Sequence, residues 1–416
     1  MRKLFLLLAA LVTSSVQAQT DFETWLSAFR QEAAAEGISA ATLDAALTGI
    51  TPVERVVQLD RRQPEFQQTF ADYLGRRVTT GRIGRGQALL QQHAALFDAL
   101  AARYGIPRSV LVSFWGLETN FGSTMGNHNI PASLATLAYD GRRSRFFRSQ
   151  LLDALRIIDA GHVQAVNMNG SWAGAMGHMQ FMPATFRAYA IDGDGDGRID
   201  VWQSIPDAMY SAANYLQRAG WRTNEPIALE VRLPDGFDWR QASAGHRLPV
   251  AEWATLGVVG ADGAPLPVVS GRAAIVVPQG WQGPAFMVFD NFNVVMRWNR
   301  SVSYALSVAQ LAHQIAGGAP LSTQGGEAGA LNTAELKAMQ QALNELGYDA
   351  GVADGLLGPR TQSALRIYQA VNGLPADGYP GPSVMADVQQ KHAAAAAAGK
   401  LTLVPAPTFS GPDDAP

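Results

Sequence analysis

Apolar side chains recur at helical spacing along most of the chain from residue 21 to about 316. Trp25 and Phe29 fall on one helical face, Gly37 is placed to end that helix, and Ser39 can cap the next one. This stretch is therefore expected to form one large, mainly helical unit. Further helices are predicted near residues 86–104, 107–119, 144–161, 183–190, 206–219 and 301–316.

The pattern changes between residues 226 and 295, where Pro and Gly interrupt short apolar segments. The runs 274–277 and 285–288 are apolar throughout, which indicates short strands or an irregular subdomain. The predicted fold class is therefore α+β and mainly α.

A second, smaller unit is predicted at residues 331–390, after a small and polar linker at 317–330. Apolar stripes at helical spacing stand on both sides of Asp354-Gly355, and Asp377-Gly378 repeats that pair. Both Asp-Gly pairs are interpreted as turn residues and not as ligand contacts.

The two ends of the chain differ from the rest. Two basic residues precede the apolar run 4–12, and small residues follow as far as Ala18, which predicts an export signal over 1–18 that is cleaved after Ala18. A membrane span needs about 20 apolar residues, so no stable membrane anchor is expected. The tail, 391–416, has an alanine run and then Pro, Gly and Asp, which favours disorder.

Composition excludes several classes of function. The formal charge is -3 on 416 residues, so the chain has no excess of basic residues of the kind that nucleic-acid binding requires. Cysteine is absent, so there is no disulfide framework, no thiolate metal site and no lipoprotein cysteine. The seven histidines form no metal-ligand motif, and neither a catalytic metal nor an organic cofactor is expected. Together with the export signal, these features predict a periplasmic protein.

The main candidate for chemistry is Glu118. It follows Leu111, Phe114 and Trp115 at the spacing of one helical face, so its carboxyl shares an apolar surface. Burial there penalises the charged form, raises the pKa and keeps a proton available for a leaving oxygen. An ion pair or a helix cap is the structural alternative, and the spacing alone leaves both open.

Six motifs occur in a fixed order along the first unit: Gln63-Pro64-Glu65-Phe66, Phe70-Ala71-Asp72-Tyr73, Trp115-Gly116-Leu117-Glu118-Thr119, the segment 171–183, Asn214-Tyr215 and Trp298-Asn299-Arg300-Ser301. With these motifs, residues 19–316 resemble the catalytic domain of the B-type lytic murein transglycosylases, glycoside hydrolase family 103. The resemblance implies a lysozyme-like fold and an enzyme that cleaves the β-1,4 bond between N-acetylmuramic acid and N-acetylglucosamine in peptidoglycan.

The same resemblance implies that water is not the nucleophile. Glu118 would protonate the glycosidic oxygen and then, as a base, take the proton of the C6 hydroxyl that attacks C1, which forms a 1,6-anhydromuramoyl end. One carboxyl can suffice where the substrate's N-acetyl group helps to stabilise an oxocarbenium-like transition state. A second carboxylate stays open, although Asp140 and Asp153 are interpreted as surface or helix-end charges.

The resemblance also assigns substrate contacts. Ser171 and Gln180 would contact the sugar at the cleavage site, Phe181 would help to line it, and Asn299 would hold the N-acetyl group. Aromatic groove positions of the family correspond to Tyr73, Tyr215, Tyr304 and Trp298, the last of which stands where a tyrosine is expected. Without the resemblance, core packing is the expected role of such aromatics and of most methionines of the segment 171–183.

A calcium loop is predicted after the helix near residue 190. Carboxylates stand at positions 1, 3 and 5, glycine at 6 and Arg198 at 7, as in the head of a calcium loop formed by Asp192, Asp194, Asp196, Gly197 and Arg198. Position 12 is Gln203, and the family resemblance implies a later closing carboxylate, best matched by Asp207. A glycine-rich turn without metal is the alternative, and stability is the expected role of a bound ion.

Residues 331–390 resemble the three-helix peptidoglycan-binding domain of wall hydrolases, which implies tethering to the substrate. Three functions stay open: a lytic transglycosylase, a muramidase-type hydrolase of the same fold, and a non-catalytic peptidoglycan-binding scaffold. Product mass separates the first two, because hydrolysis adds one water.

Overall fold

The structure is a computed structural model, and it describes residues 21–61, 68–323 and 325–401. The predicted export signal and most of the predicted disordered tail lie outside the described residues. Helices account for most of the described secondary structure. They are α1 (21–35), α2 (Ala40–Leu47), α3 (Glu54–Arg61), α4 (Phe70–Arg77), α5 (Thr80–Gln92), α6 (Ala94–Tyr104), α7 (Arg108–Thr119), α8 (Ile130–Asp140), α9 (Ser144–Asp159), α10 (Pro183–Tyr189), α11 (Ile205–Arg218), α12 (Val250–Thr255), α13 (Asp290–Trp298), α14 (Val302–Ile315), α15 (Thr333–Glu345), α16 (Pro359–Val371) and α17 (Pro382–Ala397).

The strands of the described residues form two antiparallel sheets. They are β1 (His128–Asn129), β2 (Asn169–Gly170), β3 (Ala228–Arg232), β4 (Arg247–Pro249), β5 (Val259–Gly260), β6 (Arg272–Val276) and β7 (Ala285–Val288). Strand β1 pairs with β2, and the other strands form a sheet in the order β4-β6-β7-β3-β5. This composition confirms the predicted α+β, mainly α fold class. Among the described helices, none combines the length and the apolar character that crossing a bilayer requires.

The chain divides into two compact units. The first contains the described residues 21–61 and 84–223, and the second contains 68–83, 224–323 and 325–401. The second unit thus holds the sheet β3–β7 together with α15, α16 and α17. The domain boundaries predicted from sequence divide the chain differently and stay a prediction.

In the first unit, α8 packs along α9, and both contact α2. Ser39 caps α2 by accepting a hydrogen bond from the backbone N–H of Thr42, and Gly37 has a φ of +89°, as the sequence predicts. Helix α8 was not predicted. Its residues from Ile130 to Ala138 are nearly all buried, so it lacks the polar face that gives an amphipathic period.

In the second unit, the central strands are buried on both faces. Ile275 and Met287 face a core built around Trp253, whose indole N–H donates to the carbonyl of Ala273 over 2.9 Å. Phe286 points the other way and meets Phe70 of α4 edge to face. Because both faces are covered, the sequences of β6 and β7 contain continuous apolar runs. The prediction of short strands there is confirmed.

Helices α15, α16 and α17 enclose a small core of their own. Each Asp-Gly pair is held by a buried glutamine in the same way. Gln340 donates to Asp354 and accepts from the N–H of Gly355, whereas Gln369 donates to Asp377 and accepts from the N–H of Gly378. The interpretation of these pairs as turn residues agrees with this geometry.

Two predicted boundaries differ from the structure. The single helix predicted over 86–104 is interrupted at His93, which separates α5 from α6 with a φ of -112°. Helix α17 continues through Ala397 into the alanine run that was expected to be disordered. Alanine has the highest helix propensity, so a run of it extends a helix that packing has already begun.

Candidate active site

Glu118 lies in the last turn of α7. Every residue from Val110 to Leu117 is buried, as is Thr119, whereas Glu118 is half-buried. Leu111, Phe114 and Trp115, which share its face, are at most 1% exposed. The carboxyl is therefore attached to a rigid, desolvated helix at a position that solvent can still reach.

The last turn of α7 is fixed by two side chains one turn apart. The indole Nε1 of Trp115 donates to Nδ1 of His178 over 3.0 Å, and the hydroxyl of Thr119 donates to the carbonyl oxygen of His178 over 2.8 Å. The same hydroxyl accepts from the N–H of Gly122. Glu118 stands between these two anchors, so its backbone is held against the segment that contains His178.

The chain after Glu118 depends on glycine at one point. Asn120 and Phe121 have φ angles of 48° and 60°, and Gly122 follows with +83°. A Cβ at Gly122 would lie 2.3 Å from the ring of His178, so any side chain there would displace the ring. Glycine is required both by the backbone angle and by this close approach.

His178 itself is buried, with 8% of its surface exposed. Burial lowers the pKa of its imidazole, an effect that the charge of Asp200 opposes. Since Nδ1 accepts from Trp115, the ring is neutral and carries its proton on Nε2.

The segment 171–183, named here the glycine segment, folds into tight turns beside α7. The hydroxyl oxygen of Ser171 accepts from the N–H of Ala175 over 2.9 Å, and the N–H of Ser171 donates to the carbonyl of Ala175. A Cβ at Gly177 would meet the carbonyl oxygen of Val201 at 2.4 Å. Ser171 is half-buried, so its hydroxyl is placed by the backbone and remains accessible.

Gln180 has a left-handed backbone with a φ of 50°, which is uncommon for a residue with a side chain. Its carboxamide nitrogen donates to the carbonyls of Met125 and Gly177 over 3.1 and 3.0 Å. Both partners are acceptors, so the orientation of the amide is fixed and its oxygen faces away from them. Within the described part of the chain, that oxygen accepts no hydrogen bond.

The other predicted residues of the first unit are more deeply packed. Phe181 is 3% exposed and meets the half-buried ring of Tyr215 at 6.2 Å. Met176 and Met179 are also buried, which confirms the interpretation of most of the methionines as core. The first unit thus places Glu118, Ser171 and Gln180 on neighbouring segments. Phe181 is a buried residue of the glycine segment.

The remaining predicted substrate contacts fall in the second unit. Tyr73 lies on α4, Trp298 ends α13, and Asn299 follows it as an exposed residue with extended backbone. Tyr304, in the first turn of α14, is buried, with 3% exposed. Helix α14 packs against both α4 and α13, so these four residues lie on neighbouring elements.

The two other carboxylates considered from the sequence are both paired with arginine. Asp140, the last residue of α8, forms an ion pair with Arg61 over 2.6 Å, as expected of a helix-end charge. Asp153 is 8% exposed and pairs with Arg156 over 3.1 Å and with Arg187. The expectation that Asp153 is a surface or helix-end charge is wrong, because it is a buried residue in the interior of α9.

The predicted calcium loop brings three carboxylates together. One oxygen from each of Asp192, Asp194 and Asp196 lies within 4.8 Å of the others, and Asp194 and Asp196 are exposed. The backbone N–H groups of Gly195 and Gly197 donate to Asp192, and these bonds lower the pKa of its carboxyl. This spacing and this donor set fit a hard cation such as Ca²⁺.

Asp207 has a different position in this loop. Its two carboxylate oxygens accept the N–H groups of Gly193 and Asp200 over 2.8 and 2.6 Å. Burial raises the pKa of Asp207, although these two bonds oppose the effect. Asp207 therefore braces both ends of the loop from the first turn of α11. Arg198 donates from its guanidinium to Asp200 over 3.1 Å.

Sequence reasoning missed His178, the residue that holds α7 in place. The only signal was its position inside the glycine segment, and its partner Trp115 is 63 residues away.

Comparisons with known proteins cover nearly all of the described chain. A family model described as transglycosylase SLT domain matches residues 21–313, and one described as putative peptidoglycan binding domain matches residues 332–386. The chain is 29% identical over 245 residues to membrane-bound lytic murein transglycosylase B of Escherichia coli, a match that covers 58% of this chain. The chain spans 65% of the length of that curated relative.

Solved structures are similar as well. The chain is 44% identical to SltB3 from Pseudomonas aeruginosa in complex with NAG-NAM-pentapeptide, with a TM-score of 0.86 over 88% of this chain and 99% of the other. It is 25% identical to lytic transglycosylase Slt35 of Escherichia coli in complex with calcium, with a TM-score of 0.61 over 72% of this chain and 93% of the other. These similarities confirm the predicted lysozyme-like fold with a helical domain after it.

Proposed function

The chain belongs to the family of lytic transglycosylases with an SLT domain, and from this membership we propose that it cleaves the β-1,4 bond between N-acetylmuramic acid and N-acetylglucosamine in peptidoglycan. The observation that carries the proposal is the half-buried Glu118 in the last turn of α7. The helix around it is buried from Val110 to Leu117 and at Thr119, and its last turn is anchored on both sides. A proton donor for a glycosidic oxygen needs this combination of desolvation and access.

The proposed reaction uses Glu118 twice. As an acid it gives its proton to the bridging oxygen while the C1–O bond breaks, and the leaving sugar departs with a free hydroxyl. As a carboxylate it then takes the proton of the muramoyl C6 hydroxyl while that oxygen bonds to C1. No water is consumed, and the glutamate returns to its starting state with a 1,6-anhydro product.

Charge at C1 must be stabilised while the bond breaks. A second carboxylate is one solution, and assistance from the substrate's N-acetyl group is the other. Asp140 and Asp153 are engaged by arginines, which favours the substrate-assisted route. We propose that Asn299 holds that N-acetyl group.

We propose further substrate contacts. The fixed amide of Gln180 presents its oxygen as an acceptor for a sugar hydroxyl, and Ser171 offers a hydroxyl beside it. The remaining proposed groove residues are aromatic. The half-buried rings of Tyr215, Tyr73 and Trp298 would cover sugar faces. Phe181 and Tyr304, each 3% exposed, would help to line the groove from within the core.

A structural calcium ion is part of the proposal. Asp192, Asp194 and Asp196 would supply carboxylate oxygens, and Arg198 stands at position 7 of the loop, the next ligand position. Asp207 would hold the loop in shape through its hydrogen bonds from the backbone. A bound ion would offset the mutual repulsion of the exposed carboxylates and stiffen the loop before α11. It takes no part in the chemistry, since Glu118 alone moves the protons.

Residues 331–390 are proposed to tether the enzyme to peptidoglycan, and the periplasm is the proposed site of action. Such a tether raises the local concentration of cleavable bonds without any new contact at the active site.

The test of the catalytic assignment is digestion of purified sacculi by the mature protein and by Glu118→Gln. Glutamine keeps the size and polarity of the side chain but offers no proton. Release of soluble muropeptides should fall by about a hundredfold to ten-thousandfold. Glu252→Gln, an exposed glutamate of α12, is the matched control and should digest at the unaltered rate. Equal rates for all three proteins would overturn the assignment.

A further inference from the structure

Trp281 is a large aromatic residue that the second unit leaves exposed. Its exposed fraction is 46%, although its backbone is firmly held. The N–H of Trp281 donates to the buried carboxylate of Asp377 over 2.8 Å. A Cβ at the preceding Gly280, where φ is +76°, would lie 3.0 Å from the ring of Tyr379. The indole is thus displayed from a rigid turn, which is the arrangement of a binding residue and not of a frayed loop.

Two cavities share Trp281 as a wall. The smaller has a volume of ≈ 260 Å³ and is lined in addition by Gln282, Glu327 and Tyr379. The larger has a volume of ≈ 430 Å³ and extends along Trp239. The rings of Trp239 and Trp281 meet edge to face at 6.2 Å. A ligand could therefore rest against the indole from either side.

The smaller cavity has polar groups of a particular kind. Its lining carries the carboxylate of Glu327 and the amide of Gln282, and no cation occurs among the described residues that line it. Asp377 also lines it, but this carboxylate is 5% exposed and already accepts hydrogen bonds from Trp281, Gln369 and Tyr379. Burial and the charges of these two acids raise the pKa of Tyr379 to about 12, so its hydroxyl stays protonated. Such a lining repels anions and accepts hydrogen bonds from neutral hydroxyl and amide groups.

The indole N–H of Trp281 adds a donor. It makes no hydrogen bond to any residue in the described part of the chain. An exposed aromatic face with a donor at its edge, next to amide and carboxylate acceptors, matches a sugar ring, which is apolar on its faces and polar around its rim.

The site lies within the second unit and combines two parts of the sequence. Glu118 and the proposed groove residues line neither cavity. Trp281 and Trp239 lie in the stretch that matches the SLT family, whereas Gln369, Asp377 and Tyr379 lie in the stretch that matches the peptidoglycan-binding family. A ligand here would therefore contact both.

We propose that Trp281 is the centre of a second glycan-binding site, which takes a neutral segment of N-acetylated sugars. The inference rests on peptidoglycan as the proposed substrate. A glycan strand is a long polymer, so sugars far from the cleaved bond are available to it. The larger cavity includes Arg232, whereas the described lining of the smaller cavity has no cation and favours the sugars over the anionic stem peptides.

The test follows the indole resonance of Trp281 in the ¹⁵N-labelled mature protein carrying Glu118→Gln. Trp281→Phe identifies that resonance, because it alone should disappear from the spectrum. Titration with chitotetraose, a neutral N-acetylglucosamine oligomer, should shift it saturably. A resonance that stays still while other indole signals move would overturn the proposal. Movement with a soluble stem tetrapeptide, and none with chitotetraose, would overturn the glycan assignment.

A second measurement uses the natural polymer. In the Glu118→Gln background, Trp281→Ala should weaken cosedimentation with sacculi by at least about fivefold in apparent Kd. Phe146→Ala is the matched control, since Phe146 is an aromatic residue that is 41% exposed in the first unit, and binding should be unaltered. Equal retention of both variants contradicts the proposal. Failure of the proposed reaction would show in a separate experiment, as digestion of sacculi by the single variant Glu118→Gln at the wild-type rate.

Discussion

The indole N–H of Trp115 donates a hydrogen bond to Nδ1 of His178 over 3.0 Å in a buried position. Through this bond and the one from Thr119, the helix that carries Glu118 is joined to the glycine segment that carries Ser171 and Gln180. The proposed acid and two proposed sugar contacts are therefore placed by one buried histidine.

Loss of this bond should destabilise the first unit. Trp115→Phe keeps an aromatic ring but leaves Nδ1 of His178 buried without a donor and opens a small void. We expect a loss of about 2–4 kcal/mol in the free energy of unfolding. Trp202→Phe is the control, because its indole N–H also donates a hydrogen bond, to the carbonyl of Asn169 over 2.8 Å, but the residue is only half-buried. Denaturant unfolding of both variants measures the difference, and equal losses would contradict the special role of the Trp115 bond.

His178 should make stability depend on pH. Burial lowers its pKa in the folded state below about 6.5, the unfolded value. The unfolded chain then binds more protons in that range, so this contribution is complete above about pH 6.5 and is lost as the pH falls towards the folded pKa. The melting temperature of the wild type should fall between about pH 7 and 5. The melting temperature of His178→Gln should depend less on pH than that of the wild type. An identical pH dependence would exclude His178 as its source. His162 shifts in the same direction, so some slope should remain.

Gln180 should separate stability from activity. Glycine adopts its left-handed backbone without strain, a relief of about 1 kcal/mol. Gln180→Gly also removes two side-chain hydrogen bonds that contribute about 0.5–1.5 kcal/mol each, so the net change in stability should be small. Activity on sacculi should fall at least about tenfold, because the sugar loses its acceptor. A parallel loss of melting temperature and activity, or no loss of either, would argue against a substrate contact.

Calcium should stabilise the protein through the acidic loop. At a free concentration of about 100 times Kd, a bound ion adds about 2.7 kcal/mol to the folded state. Asp194→Asn keeps one side-chain oxygen, replaces the other with an NH₂ group and removes the charge, so the rise in melting temperature on replacing EGTA by Ca²⁺ should shrink strongly. Glu252→Gln removes a distant exposed charge and should respond like the wild type. A wild-type melting temperature that is the same in EGTA and in Ca²⁺ would contradict the site.

Local features of the fold could be predicted from the sequence. The spacing of Leu111, Phe114, Trp115 and Glu118 predicts one helical face, and the cap at Ser39 uses neighbours three residues apart. Each of these signals lies within two helical turns. The candidate acid and the three loop aspartates were identifiable because their motifs are equally local.

Features that join distant parts of the chain could not be predicted. The partner of Trp115 is 63 residues away, and the left-handed backbone of Gln180 is imposed by the turns around it. Helix α8 is buried on all sides, so no polar period marks it. The exposure of Trp281 follows from a bond to Asp377, 96 residues later, and no pattern around the tryptophan indicates it.

The central claim is that Glu118 cleaves the glycan without water, and the mass of the released muropeptides tests it most directly. Mass spectrometry of sacculi digested by the mature protein should show disaccharide-peptides that are one water lighter than hydrolysis products. Sacculi treated with Glu118→Gln should release no more of these products than untreated sacculi. Products that carry the extra water would identify a hydrolase. Anhydro products released at the wild-type rate by Glu118→Gln would remove the glutamate from the mechanism.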